Sequence, residues 1–334
     1  MPRGLEESFL EFPIPRRTQE AIANFFWGDT EFQLQPYFQY YTDQCRLAVQ
    51  SYGMPVKTHQ DLINIAADIL KDVSLQDVKV KLLELCSQQN EAYSEDNLHA
   101  SIHLAVRLIF MPDVGEFRNA FSGRRKLVWR NGPLKTFIEE IFSKEIHLEH
   151  ERIKLGPVFN VCNIVRIGGF KVELTTNLAD HLLLRDADRT LTIFHHASYL
   201  MSQRQSPLFP DGLADETLRT LALLFPQGDR NVEKWYKRQD SHEELDYNVL
   251  KCGSANRHIE GYKYWHDRLF ILKEAFDESR PSTISQWWND WRDGVQWYAL
   301  WIAISLTVFF GLVQSIEGAL QAYKAYHPSS SKER

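Results

Sequence analysis

Histidines close to carboxylates are the side chains of this sequence that are best suited to acid–base chemistry. Asp180 and His181 are adjacent, and His195 and His196 follow a short segment with strand character. A histidine near a carboxylate can act as a general base around neutral pH. Both pairs flank predicted strands, so the fold can bring them together. Asp180, His181, His195 and His196 are therefore candidate catalytic or metal-binding residues. The alternative is that the helix predicted around Asp180 places its carboxylate on the surface.

Two further histidine clusters are weaker candidates for a metal site. His99 and His103 are four residues apart on a predicted helix, so both rings can reach one ion. The segment lacks the glutamate of the zinc protease motif, and no third ligand is evident. His147, Glu149 and His150 do not have the spacing of such motifs either. We expect a structural role for His99 and His103 and a solvated helix end at residues 147–150, and the sequence predicts no metal and no cofactor.

Composition and missing motifs exclude several classes of protein. The chain has 334 residues, a net charge of -6, 44% hydrophobic and 25% charged residues, which is ordinary for a globular protein. It contains no P-loop, no dinucleotide-binding glycine motif and no G-x-S-x-G, so ATPase, Rossmann and hydrolase functions have no support. The mild net acidity gives no drive toward nucleic acid. The four cysteines form no C-x-x-C pair, which indicates reduced thiols in a cytosolic domain.

The elements that must position these side chains are mostly helical. Apolar residues at helical spacing predict a helical layer over residues 18–155, after a flexible arm rich in proline and arginine at residues 1–17. Residues 156–278 have mixed character. We therefore predict a mostly α fold, namely an irregular helical domain with a small two-stranded β element, plus one C-terminal transmembrane helix.

The mixed part contains the predicted strands. Phe170–Leu174 and Thr190–Phe194 alternate like strands, and Asn177–Leu184 between them has the character of a short helix. This order predicts a small hairpin-like sheet. Leu213–Phe225 is an amphipathic helix, whereas residues 227–258 are polar and poorly periodic, which predicts a loop.

A long uncharged stretch near the C-terminus predicts a transmembrane helix. Residues 294–316 contain no charge, and a helix of that length spans about 34 Å, against about 30 Å for a hydrocarbon core. We expect a juxtamembrane helix at residues 279–293 and a short tail at residues 317–334. Aromatic side chains at both ends are typical of interfacial anchors. They are Trp287, Trp288, Trp291, Trp297, Tyr323 and Tyr326.

The position of this stretch predicts the topology. No earlier segment of the sequence is suited to start translocation, so we expect residues 1–293 in the cytosol. Only 18 residues follow Ile316, which favours a tail-anchored, single-pass protein of the endoplasmic reticulum or another endomembrane. The lipid bilayer is therefore the first expected partner.

One face of the predicted span carries small and polar residues. Small residues let helix backbones approach closely, and amide or hydroxyl groups can bond across the contact. This face predicts contact with a protein partner or self-association, and the alternative is that a single span simply tolerates small residues. The face consists of Gln296, Ala303, Thr307, Gly311, Gln314, Gly318 and Gln321.

A basic segment precedes the mixed part. Between residues 118 and 135 there are six basic residues and no acid, with Trp129 among them. Such a segment can rest on an anionic leaflet or meet an acidic partner, and the alternative is an ordinary solvated loop. The basic residues are Arg118, Arg124, Arg125, Lys126, Arg130 and Lys135.

Several blocks carry a resemblance to a family. Ser282–Arg292 and Ile316–Tyr326 resemble the terminal block of a large family of uncharacterised proteins of filamentous fungi with a C-terminal transmembrane helix. Asn177–Leu182, Ile193–Ser198 and Glu216–Gln227 are similar to the body of that family. The resemblance covers roughly residues 90–328. It implies a membrane-anchored fungal protein, and it implies no established activity and no catalytic residues.

These observations favour an interaction or tethering module held at a membrane by its C-terminal helix. A membrane-tethered enzyme that uses Asp180, His181, His195 and His196 is the alternative, so the sequence leaves enzymatic activity open while favouring its absence. A winged-helix module for nucleic acid is a third possibility. It fits poorly, because Asn177–Leu184 lacks basic residues and no nucleic-acid partner is expected from the charge.

Overall fold

The computed structural model describes residues 4–28, 34–51, 53–88, 93–115, 126–142, 153–185, 189–239, 245–279 and 294–326. The chain divides into two compact units, Met1–Ser279 and Arg280–Arg334. We call the first unit the body. The predicted fold class is confirmed, because the described part of the chain is mostly helical, contains one small sheet and ends in a long apolar helix.

Five helices form the first half of the body. Thr58 starts α3 through a capping box with Asp61, and the Ser94 hydroxyl accepts the Asn97 N–H at the start of α5. Helix α5 is the central helix, because every side chain of residues 104–110 is buried. The bounds are α1 Arg16–Trp27, α2 Gln35–Ser51, α3 His59–Leu70, α4 Leu75–Gln88 and α5 Glu95–Phe110.

The N-terminal segment differs from the flexible arm that the sequence predicted for residues 1–17. Leu5, Phe9 and Ile14 are buried in the core, and the N–H of Gln60 donates to the carbonyl of Leu5 at 2.7 Å. The prediction was based on the prolines and arginines of this segment. It did not take account of the three apolar side chains, which are spaced four or five residues apart. Burying these side chains offsets the entropy lost by ordering the segment.

The mixed part contains three strands rather than the two predicted. Strand β1, Lys171–Thr175, pairs in parallel with β3, Thr190–Phe194, and β2, Leu183–Arg185, pairs antiparallel with β3. The hairpin is therefore formed by β2 and β3, and it is not formed by the two predicted strands. Within the predicted helix Asn177–Leu184 only a 3-10 turn forms, at Leu178–Asp180. A three-residue strand is too short to give a period-two signal, which explains the difference.

Six further helices lie in the described second half of the body. The loop predicted for residues 227–258 contains α10, which Asp229 caps by accepting the N–H groups of Asn231 and Val232. Only Val232 and Tyr236 of this helix are buried, so its apolar stripe is one turn long and was missed. The bounds are α6 Leu134–Ile141, α7 Val161–Arg166, α8 Ala197–Ser202, α9 Leu213–Leu224, α10 Arg230–Lys237 and α11 His266–Glu278.

Tyrosine hydroxyls from two other helices bind the C-terminal end of α5. The hydroxyl of Tyr37 donates to the Leu108 carbonyl at 2.6 Å, and that of Tyr199 donates to the Ile109 carbonyl at 2.8 Å. The hydroxyl of Tyr40 donates to the Arg107 carbonyl at 3.2 Å. The last four carbonyls of a helix have no partner within the helix. Tyr37 and Tyr199 supply donors to two of them inside the core, while the Arg107 carbonyl accepts both Tyr40 and the Met111 N–H. These bonds join α2 and α8 to α5.

The C-terminal unit contains one described helix, α12, Gly294–Tyr326. It continues ten residues beyond the predicted end at Ile316, through Glu317 and Lys324. The predicted juxtamembrane helix lies outside the described residues except for Ser279, as do residues 327–334 of the predicted tail.

We expect removal of a tyrosine hydroxyl at the end of α5 to destabilise the body. Tyr37→Phe leaves the buried Leu108 carbonyl without the tyrosine donor, which costs about 1–3 kcal/mol. Tyr199→Phe should cost less, because the Ile109 carbonyl keeps the Gln203 amide as a donor at 3.4 Å. Urea denaturation of the full chain in neutral detergent, followed by circular dichroism, measures the change. Tyr264→Phe is the matched control, because its bond to the Asp211 carbonyl is exposed to solvent. Equal stabilities of Tyr37→Phe and Tyr264→Phe would contradict the role assigned to the hydrogen bond between Tyr37 and Leu108.

Candidate functional site

The four candidate catalytic residues all lie inside the body. Asp180 and His181 lie between β1 and β2, and His195 and His196 lie between β3 and α8. Their exposed fractions are 7% for Asp180, 0% for His181, 1% for His195 and 2% for His196. The surface location considered for Asp180 is therefore wrong. What these residues do is set by their neighbours in the core.

His181 is a fixed hydrogen-bonding link between the sheet and α9. Its Nδ1 accepts the Phe194 N–H at 3.1 Å, so Nε2 carries the proton and donates to Thr220 Oγ1 at 2.6 Å. The Thr220 hydroxyl in turn donates to the Thr217 carbonyl at 2.6 Å. Burial lowers the pKa of His181 well below its usual value, and the nearby Arg268 adds to this effect. The ring is therefore neutral, with both nitrogens in use.

Arg268 connects α11 to the turn that carries Asp180. Its guanidinium donates to the carbonyls of Ala179 at 2.8 Å and His181 at 2.5 Å, and it lies 5.3 Å from the centre of the Trp265 ring. Burial lowers the pKa of Arg268, while the charge of Asp180 opposes this shift. A partly buried cation is stabilised by hydrogen bonds and a counter-charge, and this turn supplies two carbonyl acceptors and the charge of Asp180. The role of Asp180 that this geometry supports is electrostatic support of Arg268.

His195 and His196 form a pair of a different kind. Their ring centres are 4.3 Å apart, and among the described residues no hydrogen-bond partner contacts any of the four ring nitrogens. The ring of His196 also contacts Tyr40 of α2 and Phe194 of β3. Burial lowers the pKa of His195 to about 4, and burial together with His195 lowers the pKa of His196 well below its usual value. Both rings are therefore neutral at pH 7.

The two histidine pairs thus have different neighbours. His181 contacts Thr220 of α9 and Trp265 at the start of α11, whereas His196 contacts α2. General-base catalysis requires a base that a substrate can reach. None of the four side chains is open to solvent in this arrangement, so their geometry supports structural roles.

The weaker histidine clusters also give no metal site in the described part of the chain. His99 and His103 lie with ring centres 5.8 Å apart, and burial lowers the pKa of His103 to about 4, with smaller effects of Arg107 and His99. Among the described residues, no group of three or more histidine, cysteine, aspartate or glutamate side chains is arranged to hold an ion. His147, Glu149 and His150 lie outside the described residues.

Sequence reasoning missed a buried carboxylate at the start of α8. The Asp246 carboxylate accepts the Ser198 N–H at 2.5 Å and the Ser198 hydroxyl at 2.9 Å, and the Asn248 amide donates to the same hydroxyl at 2.7 Å. Burial raises the pKa of Asp246, and these hydrogen bonds oppose the shift. Asp246 precedes the 3-10 turn Tyr247–Lys251 as its cap. The local Asp-x-Asn spacing predicts that turn, but it does not predict the contact with Ser198, 48 residues away.

The predicted basic patch is described only in part. Lys126, Arg130 and Lys135 are exposed, and they lie along the segment that precedes α6 and on its first turn. Arg118, Arg124 and Arg125 lie outside the described residues.

Helix α12 is long and apolar enough to cross a membrane over Tyr298–Tyr326. Its mean hydropathy reaches 2.0, and none of its most apolar window is buried. Among the predicted interfacial aromatics, Tyr323 and Tyr326 are exposed near its end. Trp287 and Trp288 lie outside the described residues, as do Trp291 and the side chain of Trp297.

The predicted contact face of α12 is exposed wherever its side chains are described. A Cβ added at Gly311 or Gly318 meets no atom within 4 Å, so the helix surface is open at both positions. The Thr307 hydroxyl donates to the Ala303 carbonyl at 2.8 Å, within the helix. Gln314 and Gln321 share this open face, whereas the side chain of Gln296 lies outside the described residues.

No family model, no curated protein and no solved structure matches this chain. A function is therefore proposed from the geometry of the described residues.

We expect acid to destabilise the body through its buried histidines. Unfolding returns the pKa of His195 from about 4 to about 6.5, so the unfolded chain binds an extra proton between these pH values. Stability is therefore full above about pH 6.5 and falls as the pH drops toward 4, by about 3 kcal/mol for this residue. His195→Gln should reduce this slope in urea denaturation series measured at several pH values.

The exposed His258 provides the control for this experiment. His258→Gln makes the same substitution at a solvent-exposed position, so comparing the two variants separates the effect of burial from that of the substitution itself. If His195→Gln left the slope of stability against pH unchanged, the pKa of His195 would be the same in the folded and unfolded states, which would contradict the prediction.

Proposed function

We propose that the protein is a single-pass membrane protein, anchored by α12, whose body acts on the cytosolic side as an interaction and tethering module. The exposure of α12 carries this proposal. Ile302, Phe309, Phe310 and Leu312 each expose more than half of their surface. Burying such a side chain contributes about 1.5–3 kcal/mol, so a helix of this composition partitions strongly into hydrocarbon.

The dimensions of α12 support a single crossing. From Tyr298 to Ile316 the helix is uncharged, and 19 residues extend for about 28 Å, close to the thickness of a hydrocarbon core. The last helical residues, from Glu317 to Tyr326, add about 15 Å. Glu317, Lys324 and two tyrosines belong to the headgroup region, where charges are hydrated and aromatic rings are favourable.

The cysteines support a cytosolic location of the body. Cys45, Cys86, Cys162 and Cys252 are all free, and three of them are buried. Burial raises the pKa of each thiol for which a shift is resolved, to about 11 for Cys162 and about 12 for Cys252. Such thiols remain protonated and unreactive, as structural cysteines do in a reducing compartment. We propose the endoplasmic reticulum or another endomembrane as the location.

A surface of α4 supports the interaction role. The helix buries Val78 and Leu82 but exposes Val80 by 52% and Leu83 by 40%, three residues apart on one face. Neighbouring exposed apolar side chains favour contact with another protein. A body held at a membrane concentrates such a partner there, so the anchor itself strengthens the interaction.

We also propose that α12 associates with a second transmembrane helix through its face of small residues. Gly311 and Gly318 leave space for a partner backbone, and Gln314 and Gln321 can donate hydrogen bonds across the contact.

Deletion of residues 294–334 should separate the two parts of this function. The full chain should stay in the membrane pellet after carbonate extraction, whereas the deleted chain should become soluble because it lacks the apolar helix. Proximity labelling from the body should lose its membrane-bound partners in the deleted chain. Release of the full chain by carbonate would refute the anchor, and an identical partner set for both chains would refute tethering.

A bulky side chain on the contact face should weaken helix association. Gly311→Leu prevents close backbone approach, and we expect a loss of about 1–2 kcal/mol in association of α12 in bilayers, measured by energy transfer between labelled chains. Ser305→Leu adds a comparable bulk on the opposite face and is the matched control. If both variants associated equally strongly, the proposed contact face would be refuted.

A further inference from the structure

A groove with two cations at its rim lies between the segment before α6 and α6 itself. Its volume is about 630 Å³, within the range of small-molecule sites. It opens on the side of α6 that carries Phe137 and Ile141. The lining includes Lys126, Val128, Arg130, Thr136, Phe137 and Ile141. We call it the basic groove.

The backbone of the basic groove is held in place by the buried Trp129 ring and by hydrogen bonds to its carbonyls. Trp129 is 1% exposed, and its Nε1–H donates to the Gly132 carbonyl at 3.2 Å. The Leu75 N–H at the start of α4 donates to the same carbonyl at 3.1 Å. The Gln76 amide donates to the Arg130 carbonyl at 3.2 Å. Gly132 has a φ of +71°, which a residue with a Cβ adopts only with strain. The segment is therefore a fixed platform.

This platform presents two cations without counter-charges from the described chain. Lys126 and Arg130 are exposed, and neither forms an ion pair with another described residue. The carboxylate of Glu140 also lines the groove, one helical turn beyond Thr136 on α6. An anion would therefore lie at the Lys126–Arg130 end, away from Glu140.

The α6 wall of the groove carries apolar surface beside Thr136 and Glu140. Phe137 and Ile141 of α6 are half-buried, as is Val128 on the facing segment, so each still presents apolar surface to the groove. An inorganic anion would use the cations and leave this wall exposed to water. A ligand with an anionic head and an apolar tail satisfies both ends, because the cations pair with the head and the wall covers the tail.

We propose that the basic groove binds the phosphate headgroup of an anionic phospholipid at Lys126 and Arg130, with the start of an acyl chain along Phe137 and Ile141. The volume accommodates a headgroup and part of one chain. This inference rests on the proposed function only for the source of the lipid, which is the membrane that α12 spans. Lipid binding would hold the body against an anionic leaflet and orient its partner surface.

The test uses the full chain in uncharged detergent and water-soluble short-chain lipids below their micellar concentrations. Calorimetric titrations compare dihexanoyl-phosphatidic acid, dihexanoyl-phosphatidylcholine and inorganic phosphate. We expect the anionic lipid to bind about tenfold or more tightly than either of the others, because only this lipid satisfies both the cations and the apolar wall.

Charge-removing variants locate the site. The double variant Lys126→Ser, Arg130→Ser should lose tenfold or more in affinity for phosphatidic acid. The matched control Lys154→Ser, Lys234→Ser removes the same charge from exposed lysines that do not line the groove, and it should bind as the unmodified chain does. Circular dichroism melting curves verify that both variants are folded.

Each outcome decides the proposal. Equal affinity for phosphatidylcholine, or undiminished binding by the Lys126–Arg130 variant, would overturn the site. Inorganic phosphate binding as tightly as phosphatidic acid would overturn the lipid as its occupant. Because these titrations need no bilayer, their failure is distinct from a failure of the anchor, which carbonate extraction measures separately.

Discussion

The buried end of α5 is the constraint on which the body depends. A central helix can be surrounded by apolar side chains along its length, but its last carbonyls still need donors. Tyr37, Tyr40 and Tyr199 bring hydroxyls to this end from α2 and α8, and their large rings fill the surrounding core. Tyr37 and Tyr199 also stack, with their ring planes 7° apart. One requirement for hydrogen bonding thus determines how the N-terminal helices pack on the mixed part.

The same requirement explains why histidines that suggest catalysis in the sequence have structural roles in the fold. His181 uses one ring nitrogen to accept the N–H at the end of β3 and the other to donate to α9, so it holds the sheet edge against a helix. Glu216 of α9 accepts the N–H groups of Lys263 and Trp265 at the entry to α11 in the same way. A neutral histidine or a buried carboxylate is favourable inside a protein when its hydrogen bonds are complete. The His195–His196 pair lacks such partners among the described residues, and its burial therefore makes the body sensitive to acid.

Local signals in the sequence were enough for much of the fold and for little of the candidate sites. The apolar stripes of α3, α5 and α9 and the uncharged run of α12 are long, so periodicity and length predict them. Strand β2 and helix α10 are too short for periodicity to identify. The hydrogen bonds at the buried end of α5 join residues that are distant in the sequence. Tyr37 and Leu108 are 71 positions apart, and Tyr199 and Ile109 are 90 apart. No pattern within one segment encodes such contacts, because they arise only when the helices pack.

At the proposed location of α12 in a bilayer, the same rule of hydrogen bonding applies in an apolar solvent. Within a bilayer no water can pair with a hydroxyl, and Thr307 and Ser315 each donate to a carbonyl four residues earlier. Their hydroxyl protons are therefore already used, so they contribute little to bonding between helices. Close backbone approach at Gly311 and Gly318, and the amides of Gln314 and Gln321, remain available for that contact. If α12 associates, van der Waals packing at the glycines must provide most of the stability, since a lipid tail is as apolar as the surrounding leucines.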